Sequence, residues 1–209
     1  MDCPGVAASR AIGRIAFHYI APSYSASRWR TLYNDAMKVI GIAGWSGAGK
    51  TTLLTRVIPL LAARGLRVST IKHAHHAFDI DQPGKDSHTH RQAGATEVLI
   101  SSANRFALIH ELRGATELAL GALLAKLSPV DLVLVEGFKR EAHPKLEVYR
   151  AAVEKPLLAP DDANIVAIAS DGRVSARVPV VSLDDIDAVA DILVAQAAPR
   201  DAVLARVHA

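Results

Sequence analysis

Residues 38–58 restrict the chain to a narrow set of folds. The apolar run Val39-Ile40-Gly41-Ile42-Ala43 leads directly into Gly44-Trp45-Ser46-Gly47-Ala48-Gly49-Lys50-Thr51, and Thr52-Leu53-Leu54-Thr55-Arg56-Val57-Ile58 then follows with helical spacing. The middle stretch fits the phosphate-loop pattern G-x-x-x-x-G-K-[ST], with Gly44, Gly49, Lys50 and Thr51 in register. A buried strand, a glycine-rich loop and a helix are the order this chemistry needs. The glycines let backbone N–H groups turn inward toward phosphate oxygens, and the helix N-terminus adds its partial positive charge. The expected phosphate cradle is Gly44, Ser46, Gly47, Ala48, Gly49, Lys50, Thr51 and Thr52. Lys50 would reach the β- and γ-phosphates and the Thr51 hydroxyl would sit on Mg²⁺. The loop alone does not select the nucleotide.

The rest of the chain reads as alternating strands and helices. Lys38 to Ala43 is strand one, and the helix after the loop runs to about Arg64, with Gly65 as its stop. Pro59 is expected to kink that helix or end its first half, because it lacks an N–H and crowds the Thr55 carbonyl. Leu66 to Ile71 is strand two. A polar loop from His73 to about Ser87 precedes a short helix ending near Gly94. Thr96–Ser101 and Phe106–His110 follow as strands three and four, and Leu118 to Leu127 as a helix. Leu132-Val133-Leu134-Val135 has the wholly apolar character of a strand covered on both faces. Leu146 to Arg150 reads as an edge strand, Ile165 to Ala169 as another buried strand, and Val178 to Val181 as a short one limited by Pro179. Ile186 to Ala197 has helical spacing. Such alternation predicts an α/β fold of the P-loop NTPase type: a doubly wound, mainly parallel sheet with helices on both faces. Ligands in that arrangement bind beyond the C-terminal ends of the strands.

Composition sets limits on partners. Half of the 209 residues are hydrophobic but only 5% are aromatic, so the core must be built from Ala, Val, Leu and Ile. The formal charge is +3, of which residues 1–36 carry +2, and the nearly neutral remainder is no nucleic-acid footprint. Cys3 is the only cysteine, which rules out an internal disulfide and a cysteine metal site and is compatible with the reducing cytoplasm. No apolar run approaches the ~18 residues of a membrane span. Residues 1–36 lack a clear period and an apolar signal core. They are expected to be a poorly ordered extension or a mis-assigned start, with Met37 opening the nucleotide-binding domain of residues 37–209.

Three groups of residues carry candidate chemistry. Glu136 ends the run Val133-Leu134-Val135, where phosphate-loop proteins place a Mg²⁺-contacting carboxylate, and Gly137 beside it leaves room for phosphates. Asp131 lies at the wrong end of that strand. Lys139 and Arg140 follow on the same edge. The loop His73-Ala74-His75-His76-Ala77-Phe78-Asp79-Ile80-Asp81 leaves strand two near the phosphates. Asp79 or Asp81 there is a candidate for the Mg²⁺ shell, and His73, His75 and His76 are candidates for a borderline metal. His88 and His90 read as surface residues. Gly84-Lys85-Asp86-Ser87 with Arg91 reads either as a second anion patch or as a turn and helix cap. Asp171, at the end of Ile165–Ala169, is a candidate reader of the guanine N1 and N2 hydrogens, with a turn beside Gly172 as the competing role.

Taken together, Met37 to Thr52, Ile71-Lys72-His73-Ala74-His75-His76, Pro83-Gly84-Lys85-Asp86-Ser87 and Val135-Glu136-Gly137-Phe138-Lys139 resemble the MobB family of molybdopterin-guanine dinucleotide biosynthesis adaptor proteins. The likeness extends from about Met37 to Asp171. It implies a GTP- and Mg²⁺-binding accessory protein, at most a weak GTPase. Such a protein assists the guanylyltransferase that converts molybdopterin, the molybdenum-cofactor precursor, to its guanine dinucleotide, and it acts as a homodimer. Lys50 and Glu136 would act on the phosphates, with Mg²⁺ on Thr51, Glu136 and Asp79. No water-positioning Gln or arginine finger is evident, in keeping with weak hydrolysis. Two other classes use the same loop: a small-molecule kinase holding its substrate with Lys85, Asp86 and Arg91, and a metallochaperone GTPase using His73, His75 and His76.

Overall fold

The computed structural model describes residues 37–74 and 78–207. His75, His76 and the extension of residues 1–36 lie outside them. Six strands lie side by side in the order β2 (Val68–Lys72), β5 (Leu132–Glu136), β1 (Lys38–Ala43), β6 (Lys145–Tyr149), β7 (Ile165–Ser170) and β8 (Val180–Ser182), with every neighbouring pair parallel. A two-residue strand, β9 (Ala198–Pro199), pairs antiparallel with Lys38 and Val39, while β6 pairs with Gly41 to Ala43 farther along β1. Helices α1 (Lys50–Ala63) and α4 (Ile186–Gln196) cover one face. Short α3 (Leu120–Leu124) and α5 (Arg200–Val207) pack on the other. The expected doubly wound α/β sheet is therefore present.

Strand alternation sorts the side chains between two cores. Ile40 and Ile42 of β1, Leu132 and Leu134 of β5, and Leu146 and Val148 of β6 meet Leu53, Leu54, Val57 and Leu61 of α1 and Val189, Ala190 and Leu193 of α4. Val39, Val133, Val135 and Ile71 project to the opposite face and meet Leu120, Leu124 and Val203. Arg64 ties the two helices of the first face together, donating to Asp187 and Asp191 at 2.7 Å each. α1 runs unbroken through Pro59. Pro59 therefore does not end the helix: the flanking Val57 and Leu61 are fully buried and hold both halves on the sheet.

Three elements depart from the sequence expectations. β3 (Glu97–Ser101) and β4 (Phe106–His110) exist as strands but form a separate antiparallel ribbon, so the chain leaves the sheet between β2 and α3. A short connection makes antiparallel pairing the accessible option for two strands with no helix between them. β6 is an interior strand between β1 and β7, not an edge. Its polar residues were misleading because they are buried in pairs. Lys145 Nζ donates to Asp162 at 2.9 Å, and Glu147 accepts the N–H groups of Leu158 and Ala159 at 2.7 and 2.9 Å. The segment 154–164 thus closes the second face over β6, where no helix of the described residues packs. The terminal β9 and α5 were not foreseen, since the apolar residues of 198–207 are too few to mark a period.

His143 belongs to this buried polar layer. It is fully buried, and neither ring nitrogen has a hydrogen-bond partner among the described residues. It fits only because residue 41 is glycine: a Cβ there would lie 2.5 Å from His143 Nε2. Burial and the neighbouring Lys145 ammonium push the imidazole down to about 4. Burial would raise Asp162, but its bonds from Lys145 and Asn164 hold it below the usual range, whereas burial raises Glu147. For His143 the sign follows directly. Above an unfolded value of about 6.5 the ring is neutral in both states, and between that value and about 4 only the unfolded chain takes the proton. The stabilisation is therefore lost as pH falls through that window, by about 2 kcal/mol between pH 7 and pH 5. Urea unfolding at the two pH values is expected to show this loss, and His143→Met is expected to remove most of it.

Candidate nucleotide site

The parallel register builds the site. Ile42 of β1, Glu136 of β5 and Lys72 of β2 lie in one row at the carboxyl edge of the sheet. The Gly44–Thr51 loop springs from the end of β1 next to that row. Gly44, Gly47 and Gly49 have φ of 141, 82 and 91°, conformations that L side chains avoid. A Cβ on Gly44 would also meet the Val148 carbonyl at 2.5 Å, so glycine is needed twice over at that position. Gly49 passes the chain into α1, whose first residue is Lys50.

The loop and the row enclose a cavity of about 780 Å³ lined by Gly44, Trp45, Ser46, Gly47, Gly49, Lys50, Thr51, Thr52, Lys72, His73, Glu136, Gly137 and Lys139, among others. The expected phosphate cradle is therefore gathered in one place. The exception is Ala48, whose side chain is buried behind the loop. Lys50 folds back to donate to the carbonyls of Gly44 and Trp45 at 3.1 and 3.0 Å. Burial lowers its pKa; Glu136 opposes that shift, and Lys139 and Lys72 add to it. Thr51 Oγ1 donates to Glu136 Oε1 over a long 3.5 Å, and Lys72 Nζ stands 3.8 Å from the same oxygen. Glu136 is the one acid among the described residues lining the cavity, against the ammonium groups of Lys50, Lys72 and Lys139. That excess of positive charge over a low-dielectric floor suits a polyanion. A hydroxyl and a carboxylate side by side are the hard oxygen donors that Mg²⁺ takes, so the residues present fit a magnesium–nucleotide complex.

Other residues expected at the site are elsewhere. Asp79 does not line the cavity. Both of its oxygens accept from Arg91, at 2.8 and 3.1 Å, and those bonds hold its carboxyl well below the usual range. Arg91 is also bonded to Asp81 and Glu111, so within the suggested anion patch at Gly84-Lys85-Asp86-Ser87 and Arg91 the guanidinium is already neutralised, and Ser87 donates to Asp81 at 2.8 Å. Asp86 opens the short helix α2 (Asp86–Gln92), as a cap-region acid should. Asp171 accepts from the Ala151 N–H at 3.1 Å and faces Arg150 at 3.8 Å, and it borders a separate depression with Ser170, Gly172 and Ser182. Its path to the loop runs through Arg150, whose Nε donates to the Ala48 carbonyl at 3.2 Å. His73 does reach the cavity. Its amide donates to the Glu136 carbonyl at 2.8 Å and its Nε2 lies 2.7 Å from Glu117. Among the described residues no cluster of three or more His, Cys, Asp or Glu is arranged to hold a metal.

Sequence reasoning missed Lys72, Trp45 and Arg150. Trp45 bonds the Pro156 carbonyl at 2.8 Å and lies under Lys139 Nζ at 5.1 Å, tying the loop to segment 154–164. Lys72 was findable, because parallel register puts the last residue of β2 level with Glu136. Arg150 was not, because its partner Ala48 acts through a backbone carbonyl.

The sequence pattern of MobB, described as molybdopterin guanine dinucleotide synthesis protein B, matches residues 39–171. The chain belongs to the MobB family. It is 42% identical over 159 residues to the molybdopterin-guanine dinucleotide biosynthesis adapter protein of Escherichia coli, covering 75% of this chain and 91% of that one. It is 38% identical over 160 residues to the adapter protein of the same name from Haemophilus influenzae, covering 77% and 89%. A crystal structure of molybdopterin-guanine biosynthesis protein B superposes with a TM-score of 0.61 at 29% identity, covering 75% of this chain and 98% of that one. The fold is that of a P-loop nucleotide-binding protein, as the loop predicted. Among the described residues no helix is long and apolar enough to cross a membrane.

Two substitutions separate the metal from the phosphate contribution. Thr51→Val and Glu136→Gln are each expected to lower calorimetric nucleotide affinity about tenfold or more in Mg²⁺. With excess EDTA, Glu136→Gln is expected to bind at least as tightly as the parent, since a carboxylate facing the phosphates has been neutralised.

Proposed function

We propose that this chain is a GTP-binding adapter that assists the guanylyltransferase forming molybdopterin guanine dinucleotide in the cytoplasm. The observation that carries the proposal is the single cavity uniting the phosphate loop, the Thr51–Glu136 pair and three lysines, on a chain whose relatives bear the adapter name. Gly44, Ser46, Gly47, Gly49, Lys50, Thr51 and Thr52 would hold the triphosphate through loop N–H groups, hydroxyls and the Lys50 ammonium. The Ala48 backbone would be held in place by Arg150 and Asp171. Thr51 and Glu136 would hold Mg²⁺, which when bound supplies charge neutralisation between the phosphates. Asp171 then serves as a brace.

Two observations support an accessory role over catalysis. The described residues lining the cavity include neither a Gln to orient water nor an Arg to reach the phosphates. The β3–β4 ribbon exposes Leu99, Leu108 and Phe106 at 63, 49 and 73%, with Leu99 opposite Leu108 in register. So much apolar surface on a ribbon outside the core favours burial against another chain. A second copy of this protein is the proposed occupant, giving a homodimer.

The test is co-precipitation of the full chain with the guanylyltransferase in GTP, in ATP and without nucleotide. Capture is expected to be strongest with GTP, and Lys50→Ala is expected to lose that GTP dependence. Failure to capture under all three conditions would remove the adapter reading.

A further inference from the structure

Trp45 holds two ammonium groups at once. Its carbonyl accepts from Lys50 Nζ at 3.0 Å, and Lys139 Nζ stands 5.1 Å from the centroid of its ring. That distance lies within the roughly 6 Å over which an aromatic face attracts a cation. The ring is fixed in turn, because its indole N–H donates to the Pro156 carbonyl at 2.8 Å. Lys139 is aimed by the backbone before it. Gly137 and Phe138, directly after Glu136, both have positive φ, 99 and 47°. Glycine takes up this conformation readily, but a phenylalanine there is strained, and strain of that kind collects at ligand sites. Gly137 is also required by its neighbour, since a Cβ on it would lie 2.6 Å from the His73 Cβ. The turn folds the chain back, so that Lys139, three residues past Glu136, lines the same cavity.

Two like charges are thereby held over one cavity. Burial is the main cause that lowers the Lys50 pKa, and the Lys139 ammonium adds to it. Lys139 is exposed and rests on an aromatic face, with no carboxylate paired to it among the described residues. A polyanion between the two ammonium groups relieves their repulsion. The position of Lys139 selects which phosphate it meets. Thr51 and Glu136 would hold Mg²⁺ between the β- and γ-phosphates, which puts the terminal phosphate by the strand end from which Lys139 springs. We infer that Lys139 reads the terminal phosphate, favouring a nucleoside triphosphate over a diphosphate, and that Trp45 is the residue that positions it. The inference rests on the nucleotide-holding reading above and adds to it the side chain that distinguishes the two nucleotides.

Calorimetric titration of GTP and of GDP into the full chain in Mg²⁺ gives the ratio of the two affinities, which tests the assignment. The wild type is expected to prefer GTP. Lys139→Met, an exposed change that leaves the core alone, is expected to reduce the ratio about tenfold, and Lys139→Arg to restore most of it. Trp45→Leu is expected to reduce the ratio as well. Combined with Lys139→Met it is expected to reduce it no further than Lys139→Met alone, because Trp45 acts through Lys139. In a Trp29→Phe background Trp45 is the only tryptophan. There GTP is expected to change the emission more than GDP does, as the ammonium leaves the ring, and Lys139→Met is expected to remove that difference. The inference is overturned if the wild type shows no preference for GTP, if Lys139→Met leaves the ratio unchanged, or if Trp45→Leu lowers it further once Lys139 is gone. In each of these cases wild-type binding still supports the nucleotide-holding reading. Wild-type protein that binds neither nucleotide would overturn that reading and this inference with it.

Discussion

Everything at this site depends on one carboxylate at the end of one strand. Glu136 is level with Ile42 and Lys72 because β1, β5 and β2 are parallel and in register, and its neighbours follow from that. The loop after β1 brings Thr51 to Glu136 from one side, and Lys72 approaches from the other. The next residue, Gly137, has the conformation that lets His73 pack against the chain. An Asp at position 136 would be one methylene shorter. With Thr51 already at 3.5 Å, the direct contact would become one that only a metal or water could bridge.

The opposite side of the sheet has a different logic. Lys145, Glu147 and His143 are buried where a helix would ordinarily lie, beneath segment 154–164. Leaving Lys145 or Glu147 unpaired there would be costly, so their bonds to Asp162, Leu158 and Ala159 hold the segment in place. Trp45 then links that segment to the phosphate loop through the Pro156 carbonyl. Arg150, at the end of β6, makes a second link through Ala48. The loop is therefore braced by two contacts, one from the segment over the polar face and one from the end of β6.

Much of this was legible in the sequence, and the exceptions have identifiable causes. The phosphate loop, the strand ending in Glu136 and the helix from Ile186 were readable because periodicity and glycine placement are local properties. The interior position of β6 was not. A strand reading Lys-Leu-Glu-Val-Tyr looks solvated unless the partners Asp162, Leu158 and Ala159 are known, and they come from a loop. Asp79 failed as a magnesium candidate for a similar reason: its neighbour in space is Arg91, twelve residues on, which occupies both oxygens. Proximity of a loop to the phosphates along the chain did not settle which way its side chains were engaged. Lys72 shows the converse, a residue whose role was implicit in strand register and became visible only once β2 and β5 were known to be neighbours.

The fold thus supplies the parts for gripping a triphosphate, while among the described residues lining the cavity there is no Gln or Arg to accelerate its cleavage. Single-turnover hydrolysis of GTP by the full chain in Mg²⁺, followed alongside GTP binding on the same sample, tests that distinction most directly. Firm Mg²⁺-dependent binding is expected, with hydrolysis on the order of the slow intrinsic rate of a GTPase lacking an arginine finger, below about 10⁻² s⁻¹. Turnover of about 1 s⁻¹ or faster by the protein alone would contradict it.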